Sequence, residues 1–247
     1  MAARYRGVLL DLFGTLITFD PGRLPELELN GVRHRTTLGG LGPTLAAWVP
    51  DVPLAAFAAA LRAVSEEMAR ARAHDHVELP SRERFRRALA LVRCAEEVRA
   101  EAAVDLSRAH MALIADATVL PPAHGELLAA LRPRYRLGVV SNFDDSSTAH
   151  DILARHGLAR HLDTVVISEA LGLRKPHPAV ARTGVRGLGL GAEDVLLVGD
   201  TYGEDVAGAR AAGLDAAWID VQGGGVPEGG APPRYVLRAL TELAEIL

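Results

Sequence analysis

Two carboxylates stand directly after short apolar runs. Asp11 follows Gly7-Val8-Leu9-Leu10, and Asp200 follows Val195-Leu196-Leu197-Val198-Gly199. Ser141 closes a third run, Leu137-Gly138-Val139-Val140. Lys175 lies in Arg174-Lys175-Pro176-His177-Pro178, and Asp205 comes shortly after Asp200. A charged group at the end of a buried strand is costly unless it is solvated, paired or metal-bound. The carboxyl ends of strands in an open α/β sheet share one edge, where ligands sit. Carboxylates converging there repel one another, which raises a pKa or recruits a cation. An all-oxygen set suits a hard ion such as Mg2+. A lysine and a serine beside it would serve an anionic group such as a phosphoryl. A carboxylate not needed solely for the metal can attack that group and form an acyl-phosphate. Taken singly, Asp11 also fits a solvated residue opening a turn.

Lys175 stands out by composition. It is the one lysine among 27 Lys+Arg residues; every other cation of that set is arginine. Lysine is a compact, flexible point charge where arginine is a planar fork, so position 175 reads as one that needs an ammonium. The remaining composition excludes more than it selects. The chain has 247 residues, is 49% hydrophobic and carries a formal net charge of -4, so there is no basic footprint for nucleic acid. The single cysteine, Cys94, permits no internal disulfide and reads as a buried small hydrophobe. No apolar run approaches membrane-spanning length, and the N-terminus is interrupted too early for a signal peptide. The expectation is a cytoplasmic protein with a small-molecule anionic substrate, no nucleic-acid or membrane partner, and a monomeric or homodimeric state.

The elements that must position these groups follow from periodicity. The pattern predicts strands over 5–10, 136–141, 164–168, 195–199 and 216–219, alternating with helices from residue 120 onward. That alternation predicts an α/β fold: a Rossmann-like parallel sheet that strand 5–10 must join. Leu54, Phe57, Leu61, Val64 and Met68 fall on one helical face, and further helices are predicted from Pro80 and over 95–114. Residues 20–53, rich in glycine and proline, read as irregular, with the basic run Gly31-Val32-Arg33-His34-Arg35 as a solvated loop or helix end. The block as a whole shows no strand-like run. It gives an inserted α-helical cap domain over 17–117 in a core of 1–16 and 118–247. Residues 223–233 read as a mobile loop, and 234–247 as a closing helix. Trp48 and Trp218 read as core anchors, and His177 as a residue of its loop.

Together Asp11-Leu12-Phe13-Gly14-Thr15, Ser141-Asn142, Lys175-Pro176 and Gly199-Asp200-Thr201-Tyr202-Gly203-Glu204-Asp205 resemble the four ordered motifs of the haloacid dehalogenase (HAD) superfamily. The resemblance spans the core, and the helical insert matches the cap placed after the first motif. It implies that Asp11 is the nucleophile. Ser141, with Asn142, Gly14 and Thr15, would bind the substrate, and Lys175 would neutralise the pair formed by Asp11 and the phosphoryl group. It further implies that Asp11, the backbone carbonyl of Phe13, Asp200 and Asp205 hold Mg2+. Asp205 fits the motif better than its neighbour Glu204.

Phe13 departs from the pattern, since phosphatases of the superfamily usually carry a second aspartate there as general acid and base. Three activities follow. The first is a Mg2+-dependent phosphatase of a small phosphorylated metabolite, with a surrogate acid such as Asp144, Asp145, Glu169 or His34, or a leaving group that needs little protonation. The second is a 2-haloacid dehalogenase, whose halide leaves without a proton. The third is a catalytically impaired homologue that binds a phosphorylated ligand or a partner protein. The full set Asp11, Asp200 and Asp205 favours metal and phosphoryl chemistry.

Overall fold

A computed structural model describes Arg4–Leu29 and Gly31–Leu247. The chain divides into two compact units: residues up to Phe19 together with Val119–Leu247, and Asp20–Thr118.

The first unit is built on six parallel strands. In chain order the elements are β1 (Gly7–Leu10), β2 (Thr18–Phe19), β3 (Glu26–Leu29), β4 (Val32–Arg35), α1 (Leu38–Trp48), α2 (Leu54–Asp75), α3 (Ser81–Leu91) and α4 (Glu96–Asp116). There follow β5 (Thr118–Val119), α5 (Pro122–Leu131), β6 (Arg136–Ser141), α6 (Ser146–Arg155), β7 (Thr164–Ile167), α7 (Ser168–Leu171) and α8 (Pro178–Leu188). The chain ends with β8 (Val195–Gly199), α9 (Ala207–Ala212), β9 (Asp215–Ile219), β10 (Tyr235–Leu237) and α10 (Leu243–Ile246). The large sheet runs β10-β9-β8-β1-β6-β7. β1 lies between β6 and β8, with Leu10 opposite both Val139 and Val198. All four residues of β1 are buried, as a central parallel strand covered on both faces requires. Leu9, Val140, Val180, Val185 and Leu197 belong to one apolar cluster beneath the sheet. The expected α/β fold with a parallel sheet is thus present.

The second unit buries Leu41, Leu45, Phe57, Leu61, Val64, Met68, Phe85 and Leu89 in its own core. Residues 20–53 are not irregular. β3 and β4 form an antiparallel hairpin in which Glu26 faces Arg35 and Glu28 faces Arg33. The residues alternating there are largely charged, and β4 is exposed along its length, so the period-2 signal carries little apolar contrast. Arg35 spends its guanidinium on the carbonyls of Gly22 and Leu24 and on Glu26. Helix α1 forms through Gly39, Gly40, Gly42 and Pro43 because burying Leu41 and Leu45 outweighs their poor helix propensity. Among the described residues no helix is long and apolar enough to cross a membrane.

The chain end differs from expectation too. Tyr235–Leu237 adds a parallel edge strand to β9, and beyond it only a 3-10 turn at Leu240–Glu242 and the short α10 are helical. The glycine-rich segment after β9 is anchored: the carboxylate of Asp220 accepts backbone N–H groups of Gly223, Gly224 and Gly225 and a contact from Arg238.

One buried group in the second unit gives a pH-dependent stability. His110 accepts from Arg84 at Nε2 (3.1 Å), so its proton sits on Nδ1 and faces Thr37 Oγ1 at 2.9 Å. Burial first, then the Arg84 charge, pushes its pKa down from 6.5 to about 3. The folded state therefore holds this histidine neutral where the unfolded chain would charge it. Stability is fully present above about pH 6.5 and falls as pH drops toward 3, by at most about 1.4 kcal/mol per pH unit. Chemical denaturation at pH 7 and pH 5 should show a larger loss for the wild type than for His110→Gln. Equal losses would contradict the assignment.

Candidate active site

Parallel register sets Asp11, Ser141 and Asp200 on one edge. The amide of Asp11 extends the ladder by donating to Val198 O at 2.9 Å, which brings Asp11 beside the end of β8. The chain then reverses tightly: the N–H groups of Leu16 and Ile17 both donate to Leu12 O, and Gly14 N–H to Ile17 O. Gly14 has φ +84°, and a Cβ there would lie 2.3 Å from Asp200 Oδ2. Only glycine allows both the left-handed turn and the approach of that carboxylate. At the end of β8 a Cβ on Gly199 would overlap the Asp205 carboxyl carbon at 2.1 Å. One π-helical turn, Tyr202–Val206, follows and carries Asp205 inward.

Lys175 joins the segments. Its Nζ lies 2.6 Å from Asp11 Oδ1 and 2.6 Å from Asp205 Oδ1. Lys175 is 2% exposed, Asp205 1% and Asp11 7%, so the ion cluster is dry. The second oxygen of Asp205 accepts the Thr201 N–H at 2.9 Å. The backbone at Lys175, whose peptide to Pro176 is cis, is bracketed by Asn142: Oδ1 accepts its N–H at 2.7 Å, and Nδ2 donates to its carbonyl at 3.0 Å. Asn142 thus positions the lysine backbone. Arg174 pairs with Glu204 at 3.2 Å, so Glu204 turns away to a partner of its own while Asp205 enters the cluster.

The charges explain the titration. Burial raises Asp11 to about 7; the Lys175 charge opposes this and repulsion from Asp205 adds to it. Burial likewise raises Asp200, helped by the Asp205 charge. Lys175 moves the other way for its burial: desolvation would lower it, but Asp11 and Asp205 hold it above the ordinary lysine range. Carboxylates pushed upward beside one ammonium call for further positive charge. Asp11, Asp200 and Asp205 each present an oxygen within 4.8 Å of the others. This hard, all-oxygen set fits Mg2+. Ser141, 1% exposed, ends β6 on the same edge. Thr15 Oγ1 is buried with no hydrogen-bond partner, a loss that a bound oxygen at the turn would relieve.

Three contributors lay outside the sequence reading. Trp218 Nε1 donates to the backbone carbonyl of Asp200 at 2.9 Å; its burial was legible, its partner at the end of the neighbouring strand β8 was not. The Arg174–Glu204 pair links loops that no local pattern relates. Phe143 packs its ring against Phe13, centroids 4.8 Å apart and planes tilted by 37°. The proposed surrogate acids Asp145 and Glu169 are engaged structurally. Asp145 caps α6 through Thr148 N, and Glu169 accepts from Ser146 Oγ. His34 lies on β4 of the other unit. His177 caps α8 through Ala179 N.

An aspartate, a buried lysine and an acidic turn thus meet on the carboxyl edge of a parallel α/β sheet, and the protein is of the class that gathers an anionic ligand there. The chain matches the haloacid dehalogenase-like hydrolase family over residues 5–213 and belongs to it. It is similar to a 2-haloacid dehalogenase from Pseudomonas syringae pv. Tomato DC3000, with TM-score 0.71 and 22% identity, covering 98% of this chain and 97% of that one. That likeness concerns the fold. Among curated proteins it is similar to haloacid dehalogenase-like hydrolase domain-containing protein 3 of Danio rerio, 34% identical over 106 residues and 43% of each chain. It is also similar to a phosphoglycolate phosphatase of Rhodospirillum rubrum, 41% identical over 99 residues and 40% of each chain. The matched segments thus span less than half the length of these relatives.

The buried cluster predicts a large penalty for removing its cation. Lys175→Met leaves Asp11 and Asp205 facing each other without a counter-charge and should destabilise the fold by about 3–5 kcal/mol. Urea denaturation reads this directly; a loss under about 1 kcal/mol would contradict the ion pairing described.

Proposed function

We propose that this hydrolase is a Mg2+-dependent phosphatase of a small phosphorylated molecule, acting through an aspartyl-phosphate on Asp11. The observation that carries the reading is the Asp200 carboxylate seated against the Gly14 turn beside Asp11. A nucleophilic carboxylate alone needs no second acid at that place, whereas a phosphoryl group and its ion do. Asp11, the Phe13 carbonyl, Asp200 and Asp205 would hold Mg2+, which supplies charge neutralisation for the phosphoryl oxygens. Asp205 would act largely through its hold on Lys175, since both its oxygens already accept hydrogen bonds. Lys175 engages one oxygen of Asp11, fixes the carboxylate and offers positive charge where the phosphoryl group arrives. Ser141 and Thr15, whose Oγ1 is buried without a partner, would supply hydroxyls for its oxygens. The phosphatase name of the Rhodospirillum rubrum relative supports this class of reaction.

A second reading is 2-haloacid dehalogenation, and Phe13 is what favours it: halide departs without a proton, so an aryl side chain two residues after the nucleophile does no harm there. The two chemistries separate cleanly. With a panel of phosphate esters and acyl phosphates, phosphate release should require Mg2+ and stop with a chelator, and Asp11→Asn should abolish it. Release of chloride from 2-chloropropionate that is indifferent to chelator, without phosphate release, would establish dehalogenation instead. Mg2+ should also raise the melting temperature of the wild type but not that of Asp200→Asn; an equal shift in both would remove Asp200 from the metal site.

A further inference from the structure

We infer that the site selects phosphoryl donors whose departing group needs no proton, namely acyl phosphates and aryl phosphates, and that the phosphorylated Asp11 accumulates during turnover. The inference rests on the phosphatase reading and deepens it. It follows from asking where a proton for the leaving oxygen could come from.

Cleaving an alkyl phosphate expels an alkoxide, which demands a positioned acid. The groups around Asp11 are already committed. The Lys175 ammonium sits 2.6 Å from two carboxylates; giving up a proton would leave Asp11 and Asp205 buried and opposed. Asp205 accepts from Lys175 and from Thr201 N–H. Asp200 is a ligand of the ion on the phosphatase reading. Beyond the cluster in this unit, Asp145 caps a helix, Glu169 holds Ser146, Glu204 pairs with Arg174, and Asp144 is engaged as well. In the segments that follow the adjacent strands β1 and β6, the residues two beyond Asp11 and two beyond Ser141 are Phe13 and Phe143, and their rings pack together. These rings can neither give nor take a proton, and they place apolar aromatic surface in the turns that carry Asp11 and Ser141 onward.

The two steps balance without an acid for such donors. In the first, an Asp11 oxygen bonds to phosphorus, the bond from phosphorus to the leaving oxygen breaks, and the electron pair departs as a carboxylate or phenolate. In the second, water oxygen bonds to phosphorus and the bond to Asp11 breaks, returning the pair to the Asp11 carboxylate; both water protons leave on the product as dihydrogen phosphate. Among the described residues of this unit, with Asp200 a ligand of the ion on the phosphatase reading, no uncommitted carboxylate remains beside Asp11 to draw a proton from water in the second step. A positioned base is worth about 100- to 10,000-fold, so this step is the slow one.

The test uses the full chain with Mg2+. Steady-state kcat/KM is measured for acetyl phosphate, a series of substituted phenyl phosphates and an alkyl ester such as glycerol phosphate. Rapid quench follows nitrophenolate release from nitrophenyl phosphate. The expected result is at least about 100-fold preference for acyl and aryl donors, a rate that rises steeply as the phenol becomes more acidic, and an initial burst of nitrophenolate approaching one per active site. Phe13→Asp, which installs a proton carrier, should narrow the preference and abolish the burst. The wild-type measurements stand without that variant if it folds poorly. Comparable turnover of the alkyl ester, or a linear time course, overturns the inference while leaving a phosphatase. Absence of phosphate release from every donor removes the phosphatase reading itself.

Discussion

A lysine ammonium held between two carboxylates in a dry interior is the interaction on which this site depends. Desolvating three ions is costly, and an apolar replacement of equal volume would commonly serve stability as well or better. The cluster is therefore poorly explained as a device for stability. What it does achieve is positional. Lys175 is reached by one loop, Asp11 by the end of β1 and Asp205 by the turn after β8, and the two 2.6 Å contacts fix all three relative to one another. Asn142 fixes the fourth segment by bracketing the Lys175 backbone. Burial first, and then the negative charge of Asp205, drives Asp11 and Asp200 upward and gives the edge an appetite for a cation.

Backbone geometry makes this density of charge possible. Parallel register aligns the ends of β1, β6 and β8, and the missing side chains of Gly14 and Gly199 leave the space that the Asp200 and Asp205 carboxylates fill. Trp218 ties the Asp200 carbonyl to β9, so the acidic turn is held from the sheet as well as from the lysine. Against this polar side stands the pair Phe13 and Phe143. The same edge thus carries both a dense ionic cluster and an aromatic contact in the turns that follow β1 and β6.

Much of this was legible in the sequence because the signals were local. The apolar runs before Asp11, Ser141 and Asp200 announce buried parallel strands, and the lone lysine announces a position that arginine does not fill. Elements whose identity depends on distant partners were not legible. The charged hairpin β3–β4 shows little apolar alternation, helix α1 overrides its glycines and proline through the packing of Leu41 and Leu45, and β10 is a strand only because β9 lies beside it. The same limit applies at the site. The Asn142 amide gives no hint in sequence that its partner is the Lys175 backbone, and the Asp145 and Glu169 carboxylates look available until α6 and Ser146 are seen to occupy them.

The central claim is that Asp11 receives a phosphoryl group with Lys175 beside it and an ion at Asp200. A high-resolution crystal structure grown with Mg2+ and beryllofluoride tests it most directly. The account predicts beryllium bonded to an Asp11 carboxylate oxygen, a fluorine within hydrogen-bond reach of the Lys175 ammonium, and an octahedral ion coordinated by Asp11 and Asp200. Beryllofluoride bound elsewhere, with no ion between those two aspartates, would contradict it.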